Sequence, residues 1–219
     1  MREIKNQYRV YGRTKGRKKI CIKKINIINK YKINFSSDIQ NNSKIIIDIG
    51  SGYGESSIFL AKKNSDALII AAERFLDGNI NLSKKIFNLK IKNIKIFEGN
   101  IIEFLDSIEM KKYFSEIWIL FPDPWPKNRH HKRRLINENF LLNLHLFLKK
   151  HAIVYISTDS KSYLVSIMEI IYKIRKKFVW ETCTPDKWSY ELDDLPLTKF
   201  YIKAEKSKTT PFFIKLRKI

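Results

Sequence analysis

Phe121-Pro122-Asp123-Pro124-Trp125-Pro126-Lys127 is the stretch whose residue types most suggest chemistry. Three of the chain's six prolines stand there at alternating positions. Each proline fixes its own φ and disfavours a helical conformation in the residue before it. Phe121, Asp123 and Trp125 are therefore expected to be extended, in a stiff loop that presents a carboxylate and an indole. The bland alternative is an Asp-Pro turn with a packed tryptophan. Lys127-Asn128-Arg129-His130-His131-Lys132-Arg133-Arg134 follows at once and carries five Lys or Arg residues. Such a cluster suits contacts to a phosphate backbone better than a small neutral substrate, although a solvated helix start would have the same composition. His130 and His131 are adjacent with no third ligand at metal spacing, so no metal site is expected.

A second group is Asp48-Ile49-Gly50-Ser51-Gly52-Tyr53-Gly54-Glu55, which holds three of the seven glycines. Glycines after a strand let the backbone turn tightly and approach a ligand, and the next helix offers free N–H groups. A dinucleotide fingerprint would want glycine where Glu55 stands. The D-x-G-x-G-x-G spacing suits a ligand bearing hydroxyls and an amine better than a pyrophosphate. Asp48 either serves that ligand or is a structural carboxylate holding the loop. Glu73, about twenty residues on, can accept hydrogen bonds from both hydroxyls of a ribose; otherwise it pairs with Arg74 or caps the following helix. Asn100, in Glu98-Gly99-Asn100, is placed to meet an adenine edge or simply to make a turn.

Regular elements must hold these groups. Ile45–Ile49 reads as a buried strand, and helical spacing follows over Glu55–Lys63. Strands are expected at Ala67–Ala72, Ile94–Phe97, Glu116–Phe121 and Ala152–Ser157. Helices are expected around Leu76–Asn88, Ile101–Lys112, Leu135–Lys149 and Ser160–Lys176. Two last strands near Val179–Thr184 and Thr210–Leu216, with no helix foreseen between them, suggest an antiparallel edge hairpin. The alternation predicts an α/β fold: a mostly parallel seven-stranded sheet with helices on both faces. Residues 43–219 form that domain. Residues 1–42 read as a basic N-terminal arm, with Ser36–Ser43 as a polar linker.

Composition sets the outer bounds. Against 43 Lys+Arg stand 22 Asp+Glu, a net charge of +21, and the pI is about 9.9, above the value of roughly 9 that marks nucleic-acid-binding domains. Lys, Ile and Asn are all abundant, as AT-rich coding produces, so the clusters Arg9–Lys24 and Lys127–Arg134 say more than the total. Hydrophobic residues make up 44%, enough to exclude disorder throughout. No apolar run approaches the roughly 20 residues that span a bilayer, and no secretory h-region is seen. Cys21 and Cys183 lack CxxC spacing, which excludes a disulfide scaffold. A cytoplasmic protein is expected.

Together, Asp48–Gly54, Glu73 and above all Phe121–Lys127 continuing into Arg129–Arg134 resemble the bacterial tRNA (guanine-N7)-methyltransferases of the TrmB family. The likeness covers residues 43–219, and Tyr11-Gly12-Arg13…Gly16-Arg17 is similar to the family's basic N-terminal segment. It implies a Rossmann-like class I methyltransferase fold and S-adenosylmethionine as cofactor, held by Asp48, Gly50, Gly52, Gly54, Glu73, Asn100 and Asp123, with Asp123 also catalytic. It implies substrate contacts from Lys127, Asp159, Thr198, Lys199, Phe200 and Tyr201, while Arg13, Arg17, Arg129, Lys132, Arg133 and Arg134 are candidates for the RNA backbone. Asp159 could equally cap the helix near Ser160. The implied reaction is methylation of guanosine N7 in the variable loop of tRNA, by a monomer or homodimer with no membrane and no obligate protein partner. Two positions depart from the family: Asn100 replaces Asp, and Tyr201 replaces the Glu of T-K-F/Y-E. The alternatives are a class I methyltransferase for another nucleobase or a protein, and a noncatalytic RNA-binding protein that keeps the fold. A nicotinamide-dependent oxidoreductase is disfavoured by Glu55.

Overall fold

Short isoleucine-rich runs become the central strands, because β-branched side chains fit a pleated surface covered on both faces. The computed structural model describes residues 11, 12, 14, 22–108, 113–184, 188, 196, 198–207 and 209–219. Its strands are β1 (Ile45–Ile49), β2 (Leu68–Glu73), β3 (Ile94–Glu98), β4 (Phe114–Leu120), β5 (Leu148–Thr158), β6 (Phe178–Trp180) and β7 (Phe212–Lys218). They form one sheet in the order β3-β2-β1-β4-β5-β7-β6. The pairs from β3 to β5 are parallel, and β7 runs antiparallel to both β5 and β6. The helices are α1 (Ile22–Asn29), α2 (Glu55–Lys63), α3 (Leu76–Asn88), α4 (Ile101–Asp106), α5 (Glu138–Phe147), α6 (Lys161–Lys173) and α7 (Lys199–Lys206).

The period-two alternation of strand side chains divides the core in two. Ile45, Ile47 and Ile49 of β1 face one layer with Phe104, Phe140, Leu144, Tyr163 and Ile167. Ile46 faces the other, with Leu60, Ile80, Leu82, Ile86 and Trp118. Hence α4, α5 and α6 cover one face of the sheet while α2 and α3 cover the opposite one.

The fold class is as expected, and several boundaries differ. The helix foreseen over Leu135–Lys149 is confined to α5, because Asn137 Oδ1 accepts from Phe140 N and starts the helix there, and Leu148 already belongs to β5. The helix foreseen over Ile101–Lys112 ends as α4 at Asp106, and residues 109–112 lie outside those described. β6 and β7 pair antiparallel at the edge as anticipated, but α7 intervenes, so the connection is not a tight hairpin. The sequence KFYIKAEK does not announce α7, because the segment is polar overall and, of its residues, only Ala204 is buried.

The arm-and-linker reading of residues 1–42 also changes over its second half. Ile28 of α1 is fully buried, and Ile33 and Ile39 join the core. Tyr31 and Ile33 hydrogen-bond to both sides of Ile96, extending the edge of β3. Ser36 to Asp38 sit in a π-helical turn, Phe35–Ile39, whose first N–H groups are capped by Asn34. These isoleucines stand five and six residues apart, a spacing with no helical or strand period.

One glycine allows the closest approach between layers. A Cβ on Gly78 of α3 would meet Gly52 O at 2.1 Å and Phe75 Cδ1 at 3.2 Å. Gly78→Ala must therefore push α3 off the glycine loop. We expect a loss of about 1–3 kcal/mol, the usual cost of overpacking, read as a lower urea midpoint at unchanged m-value.

Candidate active site

The loop after β1 turns through three glycines of positive φ, at 74° for Gly50, 55° for Gly52 and 81° for Gly54. Gly50, Gly52 and Tyr53 line a cleft of about 420 Å³ at the carboxyl ends of β1, β2 and β4. Gly54 does not line it. A Cβ there would lie 2.5 Å from Leu82 Cδ1, so this glycine serves the packing of α2 on α3. Asp48 likewise departs from the ligand role foreseen for it. It is 1% exposed beneath the loop, and its Oδ2 accepts from Ser56 Oγ at 2.5 Å and Ser57 Oγ at 2.6 Å. Burial raises its carboxyl to about 6, against the lowering effect of those two hydroxyls. The structural reading of Asp48 prevails because side chains alternate along β1, sending it under the loop with Ile46.

Glu73 holds the loop, a role not foreseen for it, and also bonds the chain entering α3. Oε2 accepts from Gly52 N at 2.8 Å, fixing the loop, and Oε1 accepts from Phe75 N at 2.8 Å, at the start of α3. It also lines the cleft, and each oxygen retains a second lone pair for a ligand hydroxyl. Asn100 lines the cleft too, and its Oδ1 accepts from Ile102 N and Glu103 N in a capping box for α4. Among the described residues its Nδ2 has no hydrogen-bond acceptor.

Phe121, Pro122, Asp123 and Trp125 form the opposite wall. Asp123 is exposed at the rim of the cleft, and partial desolvation by the loop around it pushes its carboxyl above the ordinary value. Phe121 and Trp125 are not extended as foreseen: their φ values are 50° and 41°, in the left-handed region. Local proline sterics lose to tertiary contacts. Phe121 N donates to Ser157 O and Oγ. The Trp125 indole packs edge-on to Tyr11 and His130, with the Arg133 guanidinium 5.0 Å from its centre.

The five cations divide into three kinds. Lys127, Arg129 and Lys132 are exposed around a 3₁₀ helix, Asn128–Arg133. Arg133 lies over both Trp125 and Tyr11, at 5.0 and 5.2 Å, and lines the cleft. Arg134 is only 5% exposed and points inward, so it is corrected from an RNA-backbone candidate to an internal residue. Arg13 and Arg17 lie outside the described residues.

The remaining candidates come from β5 and α7. Asp159 is exposed just after β5, and Ser160, not Asp159, caps α6 by accepting from Tyr163 N. Thr198 is buried and caps α7 through Tyr201 N at 3.1 Å. Lys199 Nζ sits 3.8 Å from the Tyr53 ring centre, and Phe200 lines the cleft. Tyr201 turns away toward Phe213, and its hydroxyl pairs with Glu205. Tyr53, Phe75, Arg74 and Tyr11, not foreseen as site residues, also line the cleft. Tyr53 stands between two loop glycines and could have been found; the other three are set by packing.

A family model described as "Putative methyltransferase" matches residues 42–214. A curated tRNA (guanine-N(7)-)-methyltransferase of Leptospira interrogans is 31% identical over 170 residues, covering 77% of this chain and 76% of that protein. The chain belongs to the tRNA (guanine-N7)-methyltransferase family. Another member, from Arthrobacter sp. strain FB24, is 33% identical over 141 residues, which are 64% of this chain and 44% of that protein. The chain spans less than half the length of several such relatives. Among solved structures, a Streptococcus mutans protein described as "a putative methyltransferase", in complex with SAH (S-adenosylhomocysteine), is 12% identical with a TM-score of 0.52, over 89% of this chain and 95% of that one. That likeness shows the fold.

Within this methyltransferase family, the two departing positions have structural accounts. Asn100 keeps the oxygen that caps α4, which needs an acceptor and no charge. Tyr201 reaches Glu205 one helical turn on, away from the cleft. Asp48 supplies a measurable signature. Its folded value near 6 exceeds the unfolded value of 3.8, so its contribution is greatest below about pH 4 and is lost as pH rises through 6. Relative to Asp48→Asn, wild-type stability should fall by up to about 3 kcal/mol between pH 4 and 7. A difference that stays constant across that window, in denaturant unfolding, would contradict this environment for Asp48.

Proposed function

We propose that this chain transfers a methyl group from S-adenosylmethionine to N7 of guanine in tRNA. The observation that carries the reading is one cleft walled by the glycine loop and Glu73 on one side and by Asp123 and Trp125 on the other. The donor set fits a nucleoside with an amino-acid tail. Glu73 offers acceptors for two ribose hydroxyls, Asn100 an amide for an adenine edge, and Ile49, Ala72, Ile101 and Leu120 an apolar bed. When bound, the cofactor supplies an electrophilic methyl carbon on a sulfonium.

Guanine N7 carries an in-plane lone pair, so no strong base is needed before attack. The chain's task is orientation, which can contribute several kcal/mol. Asp123 accepts from the N–H edge of the guanine and offsets the positive charge that grows on the base. Trp125 braces the loop, and Phe200 closes the cleft from α7. Lys127, Arg129 and Lys132, exposed beside the cleft, contact tRNA phosphates. Asp159, exposed at the end of β5, and Lys199 are substrate contacts in the same reading. Modification in the variable loop follows from the family pattern, and the cytoplasm is where that substrate is met.

The test is transfer of a labelled methyl group to unmodified tRNA, followed by nucleoside analysis. Label in N7-methylguanosine is expected, and its absence with both ligands bound would remove the assignment. Asp123→Ala should lower turnover far more than affinity for SAH; equal turnover would end the role given to that carboxylate. Affinity for tRNA should also fall with salt, with a log–log slope of roughly −0.7 to −0.9 per phosphate neutralised. Charge-removing substitutions at Lys127, Arg129 and Lys132 should each make that slope shallower in filter-binding titrations.

A further inference from the structure

The loop that carries Asp123 has almost nothing of its own to hold it. Its three prolines contribute no N–H donors, and both Phe121 and Trp125 have positive φ. Phe121 N is tied to Ser157, which fixes the loop's entry. From Pro122 to Pro126, one hydrogen bond is found among the described residues: Arg134 Nε donates to Pro124 O at 2.9 Å. Pro124 lies between Asp123 and Trp125. The carbonyl of the residue after Asp123 is thus this stretch's one polar tether among the described residues.

Arg134 is built for that purpose. A guanidinium has five N–H donors in a rigid fork, and here each has an acceptor. Besides Pro124 O, Nη1 donates to Ser162 O at 3.2 Å and Ser166 Oγ at 2.6 Å. Nη2 donates to Ser162 Oγ at 3.0 Å and His131 Nε2 at 2.9 Å. Because a guanidinium only donates, His131 must accept through Nε2. The fork stacks 4.8 Å from the Tyr163 ring centre, and the Tyr163 hydroxyl accepts from Ile136 N. Among the described residues no carboxylate forms an ion pair with Arg134. Its buried charge is held by neutral acceptors, most of them on α6, and reaches the loop through one donor.

We propose that Arg134 is a positioning residue that sets Asp123 and Trp125 by pinning the Pro124 carbonyl to α6. Lysine cannot reproduce this, since one ammonium cannot span Pro124, Ser162 and His131 together. The inference rests on the methyl-transfer reading. Its experiment measures kcat, KM for tRNA, SAH binding by calorimetry and thermal melting, for wild type, Arg134→Lys and Arg134→Ala. Displacements of about 1 Å cost on the order of 100-fold in rate, so Arg134→Lys should lower kcat by about that factor. KM and the SAH dissociation constant should stay within about threefold of wild type. Millimolar methylguanidinium should restore part of kcat in Arg134→Ala and leave wild type unchanged.

Other outcomes overturn it in distinct ways. A raised KM with shallower salt dependence and normal kcat would return Arg134 to the RNA backbone. Parallel collapse of melting temperature, SAH binding and kcat without rescue would reduce it to a general stabiliser. Wild-type protein that binds SAH but methylates no tRNA removes the reaction, and the positioning role with it.

Discussion

Between β1 and β4 the sheet reverses its direction of growth. β2 and β3 are added on one side, and β5, β7 and β6 on the other. The chain leaving β1 therefore turns to the face covered by α2 and α3, while the chain leaving β4 reaches α5 on the opposite face. Two neighbouring parallel strands whose exits diverge must leave a crevice at their carboxyl ends. The glycine loop lines one lip of it and the proline loop the other. Every residue credited with chemistry acquires its place from that divergence.

The two lips are made rigid by different means. The glycine loop is shaped by backbone conformations that other residues rarely adopt, and the Glu73 carboxylate holds it through Gly52 N. Gly78 and Gly54 then let α3 close against it without side chains in the way. The proline loop instead contains two non-glycine residues of positive φ. Such conformations cost of order 1–3 kcal/mol each and persist only where surroundings over-determine them. Here the surroundings are Ser157 at the entry, Arg134 at the centre and an aromatic group of Tyr11, Trp125 and His130 with Arg133 above it. Strain and its restraint thus coincide at the side of the cleft that bears Asp123.

The excess of positive charge is not all directed outward. Lys218 is 8% exposed, and its ammonium binds His145 O and Leu148 O where α5 ends, neutralising carbonyls the helix cannot use. Lys85 joins Tyr53 O to Glu55, and so steadies the glycine loop. Arg134 is internal as well. Lys127, Arg129 and Lys132 stay exposed beside the cleft.

The sequence by itself determined whatever depends on neighbours along the chain. β1, α2 and α3 have the boundaries that their periodicity and glycines indicate, and Glu73 with the proline loop marks both lips of the cleft. Tertiary structure decided which way side chains with two options would turn. Asp48 went beneath the loop to Ser56 and Ser57, and Arg134 went inward while Lys132, two residues earlier, stayed in water. It also drew Ile28, Ile33 and Ile39 into the body, made a helix of Lys199–Lys206, and forced positive φ on Phe121 and Trp125. The reason is common to all of them. Local sterics and periodicity are short-ranged and can be read residue by residue, whereas burial and the partners of a buried polar group depend on which other elements the fold brings against it.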